Sequence, residues 1–563
     1  MTADSRSASS KEQIEHTSIV DNAEGKDPAI QNDTFAIDRE ALGDNLPKNY
    51  YWSLDFIGTI VALCLGSISN YLGYVLPANL LTFINQDIGP SPNITWVTLS
   101  YTLGLSVGFL IFGRLSDIFG RRWFFIAGNG LGLLGSIIGA TASNVNALIG
   151  ADVLTGLGGA IQISFTTAAS ELVPNKIRGI VISAMFFASF EIACFGPVIG
   201  QALVTNTKAT WRWAYYLNII VSAIAVICFY FFYHPPNFHM LHVNRSKMEQ
   251  CKRQDFVGFV LFTSGLMLFI MGLSWGGVVY PWKSTRVIVT IVVGFCTLVV
   301  FVFWDAYIHR GDPLLPIHLF RSPGYLAMIT TATVGSCVYY SMNVLWPQQI
   351  IYLFPGTEIH NGWLAALLAF AGAMVSANPG QEAKGIALIF MACFSVGIIE
   401  TCSFALLPLS LPTEDIGAAL GALGSIRSGG ASVATAVYTT ILNNKLNALV
   451  PPAVTAAAVK AGLPQASVED LLSNLSAGKF ENVPGINDGI VAAVGAAKSS
   501  AAANAFRYVW YAVIAFACVA LGASILTIDY GSYLTDDVAR KMHGRSGRSK
   551  QTRSDEEGGS EKQ

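Results

Sequence analysis

Runs of mostly apolar residues recur along the chain at 55–76, 94–112, 123–142, 147–170, 180–203, 213–233, 256–275, 287–307, 325–346, 386–409, 416–441 and 508–526. A helix that crosses a bilayer needs about 20 such residues. Each run therefore predicts one span, and together they predict an all-α polytopic membrane protein. A further run at 363–376 is too short. Stretches of about 10–14 apolar residues more often re-enter or pack between neighbours than cross.

The loops orient these spans, because Lys and Arg accumulate on the cytoplasmic side. Arg114, Arg121 and Arg122 follow the second span, and Lys176 and Arg178 the fourth. Arg245, Lys247, Lys252 and Arg253 follow the sixth, and Arg310 and Arg321 the eighth. The alternate loops at 85–93 and 143–146 carry no basic residue. The C-terminal tail is basic, which places it inside, and twelve spans satisfy that where thirteen do not. The expected organisation is a disordered acidic arm (1–50), a six-helix bundle (51–233) and a linker with two helices (234–324). A second bundle (325–535) with a long external loop (443–505) and a basic cytoplasmic tail (536–563) follow. Asn93 and Asn474 each head an Asn-x-Ser/Thr glycosylation acceptor on the external side.

Composition sharpens this. Of the 563 residues, 52% are hydrophobic and 12% charged, and the net charge is −2. A soluble domain carries about 25% charged residues, so a water-soluble globule is excluded. A nucleic-acid partner is excluded by the missing basic surface. The nine cysteines lie in apolar runs or a basic loop with no C-x-x-C pair, and read as packing residues. His234, His239 and His242 stand in one cytoplasmic loop without a second cluster, so no metal site is expected. No cofactor motif appears, and no G-x-x-x-x-G-K-[ST] loop for an ATP-driven pump.

The most informative local pattern is Gly113-Arg114-Leu115-Ser116-Asp117-Ile118-Phe119-Gly120-Arg121-Arg122, between the second and third spans. The glycines allow close backbone approach. Asp117 can pair with Arg121 one helical turn on, or face a helix N-terminus. Such a latch holds one domain arrangement and releases in another; a topology anchor is the plainer reading. The stretch resembles the characteristic cytoplasmic loop of the major facilitator superfamily. Gly196-Pro197-Val198-Ile199-Gly200 in the fifth span resembles that superfamily's exporter motif, with Ile192 and Gln201 replacing two of its glycines. A generic kink at Pro197 is the alternative.

Further segments resemble the fungal trichothecene efflux pump branch of fourteen-span exporters. They are Ser91–Trp96, His234–Phe238, Leu273–Gly277 with Tyr280–Trp282, and Gly424–Gly430, while Trp211–Asn218 resembles the sixth-span entry of fourteen-span drug exporters generally. The resemblance covers about residues 50–544. It implies the major facilitator fold and proton-coupled export of small hydrophobic metabolites or toxins, by alternating access between two six-helix halves. Its implied partners are the substrate, protons and membrane lipids; the proton gradient is the driving force. The plasma membrane is the expected location, with the vacuolar membrane open. The chain departs from the pattern twice. Asp152 stands where the superfamily's fourth span has an Arg, and residues 362–385 are about one helix length short of the fourteen-span relatives.

Ionisable groups in mid-span are costly and need an explanation. Glu191 and Glu400 are candidate proton carriers, and Arg427 can balance Glu400; a purely structural pair is the plainer reading. Asp305 reads as a solvated helix cap. Asn70, Tyr71, Gln162, Tyr339, Tyr340, Asn343, Trp346 and Gln348 together form a candidate substrate pocket, because such pockets mix aromatics with a few polar groups. Single aromatics facing lipid are the alternative. Siderophore uptake on the same scaffold, a membrane-embedded enzyme lacking the clustered His, Asp or Cys it needs, and an inactive relative are the competing functions.

Overall fold

The computed structural model describes residues 19–20, 37–38, 50–235, 253–308, 314–315, 317–353, 395–411, 416–475 and 483–527. The remainder of the N-terminal arm, the short run at 363–376, His239, His242 and the basic tail lie outside the described residues. The first part of the chain forms α1 (Leu54–Asn79), α2 (Leu81–Ile88), α3 (Trp96–Phe119) and α4 (Arg121–Ala140). It continues with α5 (Val145–Ile163), α6 (Phe165–Leu172), α7 (Asn175–Asn206) and α8 (Arg212–Phe232). A hairpin follows, α9 (Phe256–Trp275) with α10 (Thr285–Phe303). Then come α11 (Pro323–Leu353), the shorter apolar α12 (Ser395–Leu409), α13 (Ile416–Lys460), α14 (Val468–Asn474) and α15 (Asp488–Ser524).

Among the described residues nine helices are long and apolar enough to cross a membrane. α11 and α13 are long enough as well, and bury the more polar positions Asn343, Gln349, Arg427 and Ser432. Local signals set the boundaries. Ser53, Asn144, Asp255 and Asn487 each cap a helix start, accepting from the amides of Phe56, Ala147, Gly258 and Ile490, which satisfies donors that have no partner inside the helix. Gly120, at φ 89°, turns the chain sharply between α3 and α4 in a conformation that glycine adopts without strain.

Two helix groups meet along two seams. In the first, α5 packs between α3 and α4, while α1 packs on α5, α7 and α8. In the second, α11, α13 and α15 pack on one another, with the α9–α10 hairpin against α13. The seams are α3 against α13 and α1 against α11. Lipid tails give no hydrophobic drive between helices, so small residues that permit close approach do the packing. A Cβ on Gly156 would lie 2.2 Å from the Tyr101 carbonyl, and one on Gly113 would lie 2.7 Å from the Gly421 Cα.

Two expectations change. The segment 443–505 is not an open loop: α13 runs on to Lys460, α15 begins at Asp488, and α14 lies between. Alanine is the strongest helix former, and Val450, Val454, Leu471, Ile490 and Val494 bury a core of their own. Asp305 is not a solvated cap. It is 4% exposed and accepts from the Leu314 and Leu315 amides at 3.0 and 3.2 Å, pinning the chain that leaves α10.

At the outer corner the buried indole of Trp211 donates to Asp87 at 2.8 Å, and Arg212 donates to the same oxygen at 3.0 Å. The Trp211 hydrogen bond, opposed by partial burial and aided by Arg212, holds the Asp87 carboxyl below its usual range. A depressed folded value stabilises the corner above the unfolded carboxylate range and is lost as pH falls through it. The Asp87 side chain is 49% exposed, so the effect is at most about 1 kcal/mol. Thermal melts of wild type should weaken on acidification below about pH 4, and Asp87→Asn should flatten that acid limb while lowering stability at pH 7.

Candidate substrate cavity and its charged groups

Between the two helix groups, on the α1–α11 side, lies a partly open cavity lined by Tyr71, Phe186, Phe190, Cys194, Tyr339, Tyr340, Glu400 and Arg427, among others. α1 supplies Tyr71, α7 the phenylalanines and Cys194, α11 the paired tyrosines, α12 Glu400 and α13 Arg427. The ring of Tyr339 meets Tyr71 edge-on at 6.4 Å and Tyr340 at 5.2 Å. The wall is thus aromatic on both helix groups. Among the described residues of the lining, the charge is one pair, Glu400 and Arg427.

Arg427 Nη2 lies 3.0 Å from one Glu400 oxygen, and Nε donates to the other at 3.0 Å. Ser336 of α11 donates to Glu400 at 2.7 Å and accepts from Arg427. The guanidinium also lies 5.1 Å from the Phe404 ring and 6.0 Å from that of Tyr340. Arg427 is 3% exposed and Glu400 14%, so the carboxylate is the partner open to the cavity. A fork-shaped pair of this kind is strong once water is excluded.

The other predicted pocket residues do not share this wall. Asn70 and Gln162 lie inside the first helix group, where Asn70 accepts from Tyr101 at 2.8 Å and Gln162 donates to Ser69 and Asn129. Asn343 accepts from Asn79 at 3.5 Å across the outer seam, beside the Tyr74 hydroxyl donating to the Tyr340 carbonyl. Trp346 packs in the apolar core of the second group. Gln348 is half-buried away from the lining, while its neighbour Gln349 is buried. Glu191 does not face the interior. It is exposed on the stripe of α7 that carries Phe187 and Phe195, because the turn-by-turn rotation of the helix sends Phe186 and Phe190 to the cavity instead. Phe186, Phe190, Cys194 and Ser336 carry no distinctive sequence signal, and only their assembly on α7 and α11 marks them.

The motifs occupy the seams. Gly113 meets Gly421 where α3 and α13 cross, with Ser106 donating to the Ser425 carbonyl at 2.8 Å farther along. Asp117 lies in the last turn of α3, and its side chain is outside the described residues. Because Gly120 breaks the helix, Asp117 and Arg121 are not one turn apart on a single helix. Arg121 is instead gripped by Glu171 at 2.8 Å through two guanidinium nitrogens, both buried, with the buried Arg178 beside the same carboxylate. Arg122 donates to the Tyr230 carbonyl at 2.7 Å. In the Gly–Pro motif, α7 runs unbroken through Pro197. Cβ positions on Gly196 and Gly200 meet Leu76 and Leu80 at 3.0 and 3.4 Å, so the motif seats α7 against α1. Asn93 lies in the turn before α3, and the Asn474 side-chain amide donates to the Asp470 carbonyl in α14. Among the described residues no group of His, Cys, Asp and Glu could hold a metal ion.

The family model described as fungal trichothecene efflux pump matches residues 17–366 and 358–563. The trichothecene efflux pump TRI12 of Fusarium sporotrichioides is 29% identical over 546 residues, covering 89% of this chain and 90% of that protein. The trichothecene efflux pump TRI12 of Trichoderma arundinaceum is 29% identical over 556 residues, covering 89% and 91%. The MFS-type transporter prx5 of Penicillium rubens is 27% identical over 442 residues, covering 72% and 80%.

Two outcomes are expected of the seam and the buried pair. Gly113→Val should cost about 1–3 kcal/mol by overpacking a backbone contact, read as a lower melting temperature of the purified protein. Glu171→Ala strands a buried guanidinium and should cost about 3–5 kcal/mol, whereas Arg122→Ala, removing a partner nearer the surface, should cost less in the same melts.

Proposed function

Because the chain belongs to the fungal trichothecene efflux pump family, within the major facilitator superfamily of multi-pass membrane transporters, we propose that it exports small apolar toxins of the trichothecene class. Proton entry drives the export, and the plasma membrane is the proposed site. One observation supports this reading above the others: the cavity at the junction of the two helix groups is aromatic, and among the described residues its charge is a single self-neutralising pair. An uncharged, largely apolar ligand gains contact with the tyrosine and phenylalanine faces and meets no net charge that it would have to compensate.

The same pair supplies the exchange. When the empty cavity is wet, water solvates Arg427, and Glu400 can take a proton. An apolar ligand expels that water. In the drier cavity an unpaired guanidinium is expensive, and the ionised pair, with Glu400 deprotonated, is the lower state. Toxin and proton therefore exclude one another, which is the condition for antiport. Ser336 holds both partners and keeps the carboxylate aimed at the guanidinium as α11 moves. Each cycle returns a proton inward against a neutral toxin outward.

In fungal cells, removing the gene should raise accumulation of a trichothecene, and an uncoupler should abolish the difference. Glu400→Gln should reach the membrane in normal amount and lose gradient-driven efflux almost entirely. Equal accumulation with and without the gene, or full efflux by Glu400→Gln, contradicts the proposal.

A further inference from the structure

Asp152 lies on α5, 2% exposed, seven residues in from the outer end of that helix at Val145, or about 10 Å deep along the axis. Its Oδ1 makes no hydrogen bond. The groups facing it are two phenols, Tyr215 of α8 and Tyr101 of α3. Among the described residues no ion pair reaches it. Among the described residues the cations of α4 and α8 are engaged elsewhere: Arg121 on Glu171, Arg122 on the Tyr230 carbonyl, and Arg212 on Asp87. Burying a carboxylate without a counter-ion is among the costliest arrangements in a membrane bundle. A neutral carboxyl at the same position carries no such cost.

We propose that Asp152 is a second proton-binding site of the pump, holding its proton in this arrangement of the first helix group. The surroundings suit a site that exchanges protons. From Asp152, buried polar side chains lead inward past Thr155 and Tyr101 to Asn70, whose neighbour Tyr71 lines the cavity. Asn218, one helical turn beyond Tyr215, donates to Ser136 and accepts from Ser69. Release needs no large chemical step. The Asp152 hydroxyl gives its proton to water once α5 and α8 part at their outer ends, and the resulting carboxylate is then hydrated. This inference rests on the transporter reading above, with Asp152 in the first group titrating alongside Glu400 in the second.

Infrared spectra of the purified protein in lipid at neutral pH test it without any toxin. The wild type should show the carbonyl band of a neutral carboxyl that Asp152→Asn removes and Tyr215→Phe shifts in frequency. Asn keeps the size and hydrogen-bonding ability of the side chain, so a role in packing alone survives this change. If Asp152→Asn removes only carboxylate bands, the proposal is overturned. Proteoliposomes with a trichothecene as the probe supply the second arm. The pH profile of efflux should lose one titration step in Asp152→Asn, and an unchanged profile overturns the proposal. Should the wild type move no trichothecene at all, the transporter reading fails, and the infrared comparison still decides the protonation of Asp152.

Discussion

The pair between Arg427 and Glu400 is the constraint around which the junction is built. It joins α12 to α13, Ser336 ties it to α11, and Tyr340 and Phe404 flank the guanidinium. One buried cation thus fixes three helices of the second group and leaves its carboxylate partner open to the cavity. A buried ion pair adds little stability by itself, because desolvation offsets most of the attraction. In the proposed cycle its value lies in switching: one proton would convert a neutral pair into an uncompensated charge, with the medium in the cavity deciding which state is lower.

The remaining charges follow a division of labour set by depth. At one end Glu171 gathers Arg121 and Arg178, binding the start of α4 and of α7 to α6. At the opposite end Asp87 gathers Trp211 and Arg212. Between these layers, glycines and hydroxyl groups let helices touch without charge, as at Gly113 and Gly421 or at Ser106 and Ser425. The hydrogen bonds described across the seams join neutral groups, as with Tyr74 on the Tyr340 carbonyl, Ser106 on the Ser425 carbonyl and Ser432 on Thr102.

Much of this was readable in the residues themselves. Apolar run length announced the helices, since hydrocarbon thickness imposes it, and Gly196-Pro197 stood out as a motif whose seat against α1 only the structure supplies. The balance of Arg427 by Glu400 followed from the cost of each alone. What eluded sequence reasoning was direction around a helix. Glu191 and Phe190 are adjacent, yet only the phenylalanine faces the cavity. Gln162 and Trp346 are as polar or aromatic as a pocket requires, but they belong to the interiors of single groups. The helical character of 443–505 was hidden by low hydropathy, which reports membrane depth and not helix formation. The family match falls into two parts that overlap at 358–366, at the start of the stretch that the sequence resemblance predicts to be one helix length short; the described residues still bring Tyr71, Glu400 and Arg427 to one wall.

Charge movement in a reconstituted membrane tests the switching role most directly. With a neutral trichothecene as substrate and no pH difference, efflux should accelerate when the cytoplasmic side is made negative, because net positive charge returns inward in each cycle. Efflux that ignores the membrane potential would contradict it.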